Sequence, residues 1–328
     1  HNVNSREEFA KDIKSTSVIH NNSGKAEITV VNIQKFQDDP DVVRNTDYQL
    51  NIQRVYFLDE VHRSYNPKGS FLANLNESDP NAIKIGLTGT PLLGTDYNSK
   101  ALFGGYIHKY YYNSSIADGY TLRLIREEIE TNYKLTLKQA LEEIEILKGN
   151  ADKKIVYAHP KFVEPMLDYI VQDFEKARIS MNDNSIGGLV VCDSSDQAKM
   201  LFEIFESKYA INKNVHSGLL QAAEPQESYG DKKKAESKVT KAAVILHDIG
   251  TKQDRKDQVE AFKDGHIDFL FVYNMLLTGF DAPRLKKLYI GRVIKAHNLL
   301  QTLTRVNRTY KDFRYGYVVD FADIQKEF

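Results

Sequence analysis

The sequence has little of what secreted and membrane-spanning proteins require. Cysteine occurs once, as Cys192, which excludes a disulfide within the chain and indicates a reducing compartment. No apolar run approaches the roughly 18 residues of a transmembrane helix, and the first residues do not form a signal-peptide pattern. These absences predict a cytoplasmic protein without contact to a membrane.

An excess of charge of either sign is also missing. Lys and Arg number 44 against 45 Asp and Glu, so the formal net charge is −1 and the pI is about 6.8. Any contact with DNA must therefore come from local basic patches. At 328 residues, with 41% hydrophobic and 27% charged residues, the chain is long enough for two domains with separate cores.

A complete phosphate-binding loop is absent. The pattern G-x-x-x-x-G-K-[ST] places backbone amides around nucleotide phosphates, while its Lys neutralises their charge. The candidate Gly24-Lys25 fails, because Ile19 stands in place of the first Gly and Ala26 in place of Ser or Thr. We interpret Gly24-Lys25 as a turn before a strand.

The sequence does contain two polar motifs, each at the end of an apolar strand pattern. Asp59-Glu60-Val61-His62 follows Val55–Leu58, and Thr88-Gly89-Thr90-Pro91 follows Ile83–Leu87. A parallel α/β sheet presents polar groups at the C-terminal ends of its strands, where they reach Mg²⁺ and phosphate. Together the two motifs predict the hydrolytic half of an ATP-driven nucleic-acid motor.

Strand and helix patterns alternate along the chain. Predicted strands lie at Ala26–Val31, Arg54–Leu58, Ile83–Leu87, Tyr106–Tyr112, Gly188–Val191, Phe269–Val272 and Leu288–Ile290. Predicted helices lie at Leu137–Leu147, Lys161–Glu175, Ser194–Ser207 and Asp254–Phe262. We expect residues 1–115 to form the C-terminal part of a first domain, residues 116–150 a connector and residues 151–328 a second domain.

Four motifs in sequence order resemble those of superfamily-2 helicases. The Asp-Glu-Val-His motif resembles Walker B, and Thr-Gly-Thr-Pro resembles motif III. Leu277–Pro283 resembles motif V, and Gln301–Arg308 resembles motif VI. The phrases Leu-Leu-Thr-Gly-Phe-Asp-Ala-Pro and Arg-Val-Asn-Arg, with Thr304 where other superfamily-2 helicases have Gly, are similar to the R subunit of type I restriction-modification enzymes. This resemblance covers nearly the whole chain.

The resemblance implies ATP and Mg²⁺ as cofactors and a role for each catalytic residue. Asp59 would hold Mg²⁺ through its water shell, Glu60 would polarise the attacking water, and His62 would couple the nucleotide to motif III. Arg305 and Arg308 would reach the charge that develops on the γ-phosphate.

The remaining motif residues are expected to bind nucleotide or DNA. Thr88 and Thr90 would relay domain closure, and Gln301 would orient the arginines. The expected nucleotide-binding residues are Thr88, Thr90, Gly279, Asp281 and Gln301. The expected DNA-contacting residues are Lys35, Arg63, Thr278 and Lys295.

Each motif also has a plainer interpretation. Asp59-Glu60 could be a solvated strand end, and Thr88 could supply a turn hydroxyl. Arg305 and Arg308 could form the basic face of a helix, and Asp281 could cap a turn. The occurrence of all four motifs in the expected order favours the motor.

Three other functions stay open. His247-Asp248-Ile249-Gly250 matches the short signature of HD-type metal phosphohydrolases, although it ends an apolar stretch inside an α/β pattern. A helicase or remodeller from another superfamily-2 branch would share the ATPase. A non-catalytic docking module would be consistent with the missing phosphate-binding loop.

The predicted fold is α/β with two RecA-like parallel-sheet domains, the first incomplete at its N-terminus. The resemblance implies ATP-dependent translocation on double-stranded DNA within a type I restriction endonuclease, with modification and specificity subunits as partners. Neither a phosphate-binding loop nor the family's nuclease site is found in the sequence. We therefore expect an internal fragment of a larger R subunit, inactive by itself.

Overall fold

A computed structural model describes residues 2–3, 30–31, 55–61, 81–91, 99–148, 153–210, 239–294 and 296–322. The chain divides into two compact units, His1–Lys109 and Tyr110–Phe328. The strands are β1 (Asn2–Val3), β2 (Val30–Val31), β3 (Val55–Leu58), β4 (Ile83–Gly86), β5 (Arg123–Glu128), β6 (Gly187–Val191), β7 (Ala242–Ile245), β8 (Phe269–Val272), β9 (Leu285–Ile290) and β10 (Tyr315–Asp320). The helices are α1 (Ser99–Phe103), α2 (Tyr112–Ala117), α3 (Thr131–Lys148), α4 (Lys153–Tyr157), α5 (Pro160–Met181), α6 (Ser195–Lys208), α7 (Lys252–Lys263) and α8 (Ala296–Leu303).

The described strands of the first unit pair in parallel. β3 and β4 run in register from Val55 opposite Ile83 to Leu58 opposite Gly86, and β1 pairs with β2. The two predicted strands that end in polar motifs are therefore confirmed, each to within one residue. Because β3 and β4 are parallel neighbours, their C-terminal ends lie side by side.

The second unit is built on a parallel sheet with the strand order β5-β10-β9-β6-β8-β7. Each of its strand pairs is parallel. β6, β8 and β9 are buried along their whole length, which is typical of strands covered by helices on both faces. The predicted fold class, α/β with parallel sheets, is confirmed.

Side chains of the second unit form a hydrophobic core on each face of this sheet. Phe269 and Phe271 of β8 point to the face covered by α5 and α6, where they meet Phe174 and Phe205. The intervening Leu270 points to the other face, whose core includes side chains of α7 and α8. This alternation follows from the two-residue period of a strand.

The helices of the second unit begin at residues that the sequence marks as caps. Ser194 accepts a hydrogen bond from the Gln197 amide at the start of α6, as its N-capping pattern predicts. Thr251 and Asp254 form a reciprocal capping box at the start of α7. Across the ranges that the structure describes, no helix has both the length and the apolar character needed to cross a bilayer.

Two segments differ from the sequence expectation. Residues 116–150, expected to be a connector, contain β5, which pairs along its full length with β10. Among the described strands β5 lies at the edge of the sheet, with β10 as its neighbour. Its sequence, Arg-Leu-Ile-Arg-Glu-Glu, therefore lacks the apolar run that is typical of a central strand. The strand predicted at Tyr106–Tyr112 is wrong: residues 104–111 are irregular and α2 begins at Tyr112.

Candidate functional site

The acid motif forms a tight turn at the end of β3. Asp59 and Glu60 are both exposed, and the Glu60 amide donates to Asp59 Oδ1 at 2.9 Å. Glu60 has a φ of +51°, a left-handed conformation that is uncommon for a residue other than Gly. Such backbone strain persists where the surrounding structure enforces it, and it clusters at functional sites. The turn presents both carboxylates to solvent at the C-terminal edge of the sheet.

The second motif is attached to the first by backbone hydrogen bonds. The Leu87 amide donates to the Leu58 carbonyl at 2.8 Å, and the Val61 amide donates to the Leu87 carbonyl at 3.2 Å. Val61 is 2% exposed, so this end of the acid turn is fixed by packing. The structure therefore brings the acid motif and the Thr-Gly-Thr-Pro motif together, as predicted.

The threonines of the second motif make a local turn. The Thr90 amide donates to Thr88 Oγ1 at 3.1 Å, the pattern in which a hydroxyl stabilises a turn. Both side chains are half-buried. Their hydroxyls lie on the segment that is hydrogen-bonded to the acid turn, while their expected nucleotide role stays a prediction.

The acid turn suits Mg²⁺. This ion is commonly held by one or two carboxylates, and it keeps several of its waters and takes further ligands from substrate phosphates. Asp59 provides one exposed carboxylate whose orientation is fixed by the Glu60 amide. Asp59 would hold the ion, which would supply charge neutralisation for the phosphates when bound.

The second unit carries motifs V and VI, and Arg305 connects them. Its guanidinium donates from Nη1 to the Phe280 carbonyl of motif V, from Nε to the Gln301 carbonyl at 2.9 Å, and from Nη2 to Thr304 Oγ1 at 3.1 Å. Phe280 is 5% exposed. Arg305 therefore fixes the motif V loop against the residues that follow α8.

Arg308 has different surroundings. Its Nε lies 3.5 Å from Asp281 Oδ1, and the two side chains are 45% and 63% exposed. The backbone beside it is fixed: the Leu122 amide donates to the Asn307 carbonyl at 2.6 Å, and Lys286 Nζ donates to the Arg308 carbonyl at 2.5 Å. Arg308 thus combines an anchored main chain with a side chain that solvent can reach.

The helical interpretation of the two arginines is wrong. α8 ends at Leu303, and both arginines lie in the turn and extended segment beyond it. Gln301 is in the last turn of α8 and is 8% exposed. Its backbone carbonyl accepts hydrogen bonds from Arg305 Nε and from Thr304 Oγ1, the latter at 2.8 Å.

The motif V loop lies between β8 and β9. Gly279 has a φ of +70° and provides the left-handed step that the turn before Phe280 requires. Thr278 is half-buried, and Asp281 is exposed. Asp281 is therefore placed beside Arg308, while its nucleotide-binding role stays a prediction.

Four of the expected site residues lie outside the described residues. They are Lys35, His62, Arg63 and Lys295.

Lys286 and the segment around Leu122 are parts of this site that the sequence motifs did not predict. Lys286 is 0% exposed, and burial lowers its pKa from the ordinary 10.5 to about 8. A usable signal was present, because consecutive lysines in Leu-Lys-Lys-Leu-Tyr-Ile of β9 must point to opposite faces of a buried strand. The pairing of Thr121 with Arg308 had no such signal.

In the described part of the structure, His247 and Asp248 do not belong to an HD-type metal site. His247 and Asp248 lie in a turn after β7, and the Asp248 carboxylate pairs with Lys199 Nζ at 2.6 Å. Within the part of the chain that the structure describes, no three His, Cys, Asp or Glu side chains converge as metal ligands.

Two segments of the chain are similar to known protein families. Residues 2–154 match the family model of SWI2/SNF2 ATPases. Residues 184–323 match the family model of domain 3 of the type I restriction enzyme subunit R.

Curated relatives are endonuclease subunits of type I restriction enzymes. The chain is 26% identical over 298 residues to the SauMRSORF196P subunit of Staphylococcus aureus, covering 83% of this chain and 31% of that protein. It is 26% identical over 297 residues to the HindI subunit of Haemophilus influenzae, covering 83% of this chain and 27% of that protein. The chain thus spans about 30% of the length of these relatives.

Solved structures share the fold. A fragment described as an HsdR subunit of a type I restriction enzyme from Vibrio vulnificus YJ016 aligns with a TM-score of 0.53 at 17% identity, covering 83% of this chain and 44% of that one. The ATP-dependent Type ISP restriction-modification enzyme LlaBIII bound to DNA aligns with a TM-score of 0.55 at 9% identity, covering 98% of this chain and 21% of that one. The family matches and the curated relatives agree that the chain is similar to type I restriction enzyme R subunits, with a SWI2/SNF2-like segment at residues 2–154.

Proposed function

We propose that the chain is the motor part of a type I restriction enzyme, in which ATP hydrolysis drives movement on double-stranded DNA. The observation that carries the proposal is the strained Asp59-Glu60 turn at the end of β3, hydrogen-bonded to the Thr-Gly-Thr-Pro segment. Two exposed carboxylates, on a turn that is hydrogen-bonded to a segment with two threonine hydroxyls, suit phosphoryl transfer, which depends on positioning and charge.

In this proposal each acid has a separate task. Asp59 holds Mg²⁺, which neutralises phosphate charge when bound. Glu60 accepts a hydrogen bond from the attacking water and polarises it. Its backbone is left-handed, and its amide is held by the Asp59 side chain at 2.9 Å. His62 couples the nucleotide to Thr88 and Thr90, which relay closure.

The two arginines of motif VI have different proposed roles. Arg308, exposed and on an anchored backbone, reaches the charge that develops on the γ-phosphate; such an arginine contributes about 10³–10⁵ in rate. Arg305 acts chiefly by holding motif V against motif VI through the Phe280 and Gln301 carbonyls. The Asp281 carboxylate pairs with the Arg308 guanidinium until the nucleotide phosphate takes the place of that carboxylate.

The chain is proposed to act within a longer polypeptide and a larger complex. Its sequence contains no complete phosphate-binding loop, and it spans about 30% of its curated relatives. A phosphate-binding loop and a nuclease domain outside these residues would complete the activity. Modification and specificity subunits would supply methylation and target recognition.

Double-stranded DNA is the proposed track. Its contacts are expected to go mainly to phosphates, which carry no sequence information. The candidates are Thr278 of motif V, with Lys35, Arg63 and Lys295. The match of residues 184–323 to a type I restriction domain favours this role over that of another superfamily-2 helicase.

DNA-stimulated ATP hydrolysis tests the proposal. The protein from the complete reading frame that encodes this chain is assembled with its modification and specificity subunits and assayed with and without duplex DNA. Glu60→Gln is expected to lower kcat by about 10²–10⁴-fold. Glu142→Gln, at an exposed carboxylate of α3, serves as the control and should leave kcat unchanged. ATP hydrolysis at the same rate with and without DNA would contradict the proposed motor function. So would ATP hydrolysis that is undiminished in Glu60→Gln.

A further inference from the structure

Lys286 occupies an unusual place beside motif VI. It lies on β9, is 0% exposed, and donates from Nζ to the Arg308 carbonyl at 2.5 Å. The ring of Tyr310 lies 5.7 Å from the same nitrogen. The ammonium of a buried lysine is thus hydrogen-bonded to the main chain of the arginine that is proposed to act on phosphate.

The neighbouring lysine provides a comparison within the same strand. Lys287 Nζ lies 2.5 Å from Glu127 and 2.8 Å from Asp173, so its buried charge has two carboxylate partners. Across the described residues, no carboxylate pairs with Lys286, and its described acceptor is a neutral carbonyl. Burial without a counter-charge also lowers the pKa of Lys286 to about 8.

A contribution to stability does not explain why a lysine occupies position 286. Burying an ammonium costs free energy that one hydrogen bond to a neutral carbonyl offsets only in part. Replacing a buried charge by an apolar side chain of similar volume is often neutral or stabilising. An apolar residue at position 286 would suit the fully buried β9 at least as well.

What Lys286 adds is a fixed point for the main chain at Arg308. The Leu122 amide holds the Asn307 carbonyl at 2.6 Å, and Lys286 holds the next carbonyl along the chain. Two consecutive carbonyls are therefore anchored immediately before and at the residue whose side chain remains exposed. A guanidinium that must meet a phosphate benefits from such preorganisation, because a misplacement of about 1 Å can cost about 10²-fold in rate.

We propose that Lys286 is a positioning residue for Arg308: its ammonium holds the Arg308 carbonyl and thereby sets where the Arg308 guanidinium can reach during ATP hydrolysis. The inference rests on the role proposed above for Arg308. Lys286 does not touch the nucleotide in this account. It acts through the main chain of Arg308.

Trypsin provides a test that does not depend on ATPase activity. Trypsin cleaves after Arg, and the scissile bond after Arg308 includes the carbonyl that Lys286 holds. Lys286→Met keeps an unbranched side chain but removes the donor. We expect cleavage after Arg308 to become at least about tenfold faster relative to other sites, because local opening controls proteolysis of native protein. The melting temperature should stay the same or rise.

Lys287→Met is the matched control. It removes a buried lysine from the adjacent position and takes the positive charge away from Glu127 and Asp173, although Asp173 keeps the hydrogen bond from the Tyr289 hydroxyl. The melting temperature should therefore fall. The relative rate of cleavage after Arg308 should not change. Equal acceleration in the two variants would overturn the assignment, because loss of stability would then explain both.

The kinetic test uses the protein from the complete reading frame with its partner subunits. Lys286→Met should lower kcat by about 10–100-fold, with the KM for ATP changed by less than about threefold. In an Arg308→Ala background the same substitution should lower kcat no further, because residues that act as one unit are not additive.

Separate outcomes overturn separate claims. If Arg308→Ala lowers kcat and Lys286→Met does not, the positioning role of Lys286 is wrong while the proposed function of Arg308 stands. If Arg308→Ala leaves kcat unchanged, the role of Arg308 fails and the role of Lys286 fails with it. If Lys286→Met lowers kcat by the same factor with or without Arg308, Lys286 acts elsewhere.

Discussion

Arg305 and Arg308 lie in one short segment, but the structure gives them opposite surroundings. Arg305 donates to two backbone carbonyls and a hydroxyl, whereas Arg308 is 45% exposed and faces an exposed carboxylate. A guanidinium occupied by structural hydrogen bonds contributes to stability, and one that solvent can reach contributes to ligand binding. Their effects on mutation should therefore separate.

Arg308→Ala is expected to lower kcat by about 10³–10⁵-fold and to change the free energy of unfolding by less than about 0.5 kcal/mol, because surface ion pairs contribute little. Arg305→Ala should instead destabilise the protein by about 2 kcal/mol, since charged hydrogen bonds to buried carbonyls are lost. ATPase assays and chemical denaturation of both variants measure the two effects.

Arg308→Lys is the sharper control for the first variant. Lysine keeps the charge but loses the planar fork that matches phosphate oxygens, so most of the loss in kcat should remain. Equal destabilisation by Arg305→Ala and Arg308→Ala would contradict the division of roles.

Because of Lys286, the free energy of unfolding should rise with pH in the alkaline range. Its pKa in the folded protein is about 8, against an ordinary 10.5. Below pH 8 the residue is charged in both folded and unfolded chains, and the full cost of burial applies. Between pH 8 and 10.5 the folded protein releases the proton first, so the contribution of Lys286 to the free energy of unfolding rises by about 3 kcal/mol.

Chemical denaturation of Lys286→Met and of the unmodified protein between pH 7 and pH 10.5 measures this dependence. The variant should be the more stable protein below about pH 8, and its advantage should shrink as the pH rises. A difference between the two that stays constant with pH would show that Lys286 is not charged when buried.

The sequence motifs name expected site residues, whose roles stay predictions, but they do not show how these side chains are held. Asp59, Glu60 and the two arginines follow from motif wording. The bond from Arg305 to the Phe280 carbonyl joins residues far apart in sequence, and no local pattern specifies it. Lys286 was missed because the predicted strand began at Leu288 and left both lysines of β9 outside it.

Among helices and strands, prediction succeeded where a pattern depends on local chemistry. β8 was predicted at its observed bounds, and Ser194 was predicted as the cap of α6. β9 was predicted from Leu288 but begins at Leu285, because its two lysines interrupt the apolar run. The edge strand β5 was missed because its partner, β10, lies far along the chain.

β10 approaches motif VI so closely that it requires glycine at position 316. A Cβ there would lie 2.1 Å from the Val306 carbonyl oxygen, and main chain cannot move aside as a flexible side chain can. Gly316→Ala should therefore destabilise the protein by about 1–3 kcal/mol. It should also displace the segment that leads to Arg308 and lower kcat.

Chemical denaturation and ATPase assays measure both consequences. Gly105→Ala is the control, because a Cβ at that position would meet nothing within 4 Å, and its effect should stay within about 0.5 kcal/mol. Normal stability and normal kcat in Gly316→Ala would mean that β10 and motif VI separate more easily than their packing indicates.

Across the whole chain, the motifs are divided between the two units. The acid and Thr-Gly-Thr-Pro motifs belong to residues 1–109, and motifs V and VI belong to residues 110–328. The order of the motifs is the reason that we expect a first domain over residues 1–115 and a second over residues 151–328. The chain's near-neutral balance of 44 basic and 45 acidic residues gives no comparable information about DNA, so binding must be measured.

The measurement that tests the account most directly is DNA translocation by the assembled enzyme. A third strand annealed to duplex DNA at a distance from the target site reports the arrival of a moving motor when it is displaced. We predict displacement that requires ATP, is delayed in proportion to that distance, and is abolished by Glu60→Gln. Displacement that is independent of ATP, or that continues in Glu60→Gln, would contradict a motor powered at the Asp59-Glu60 turn.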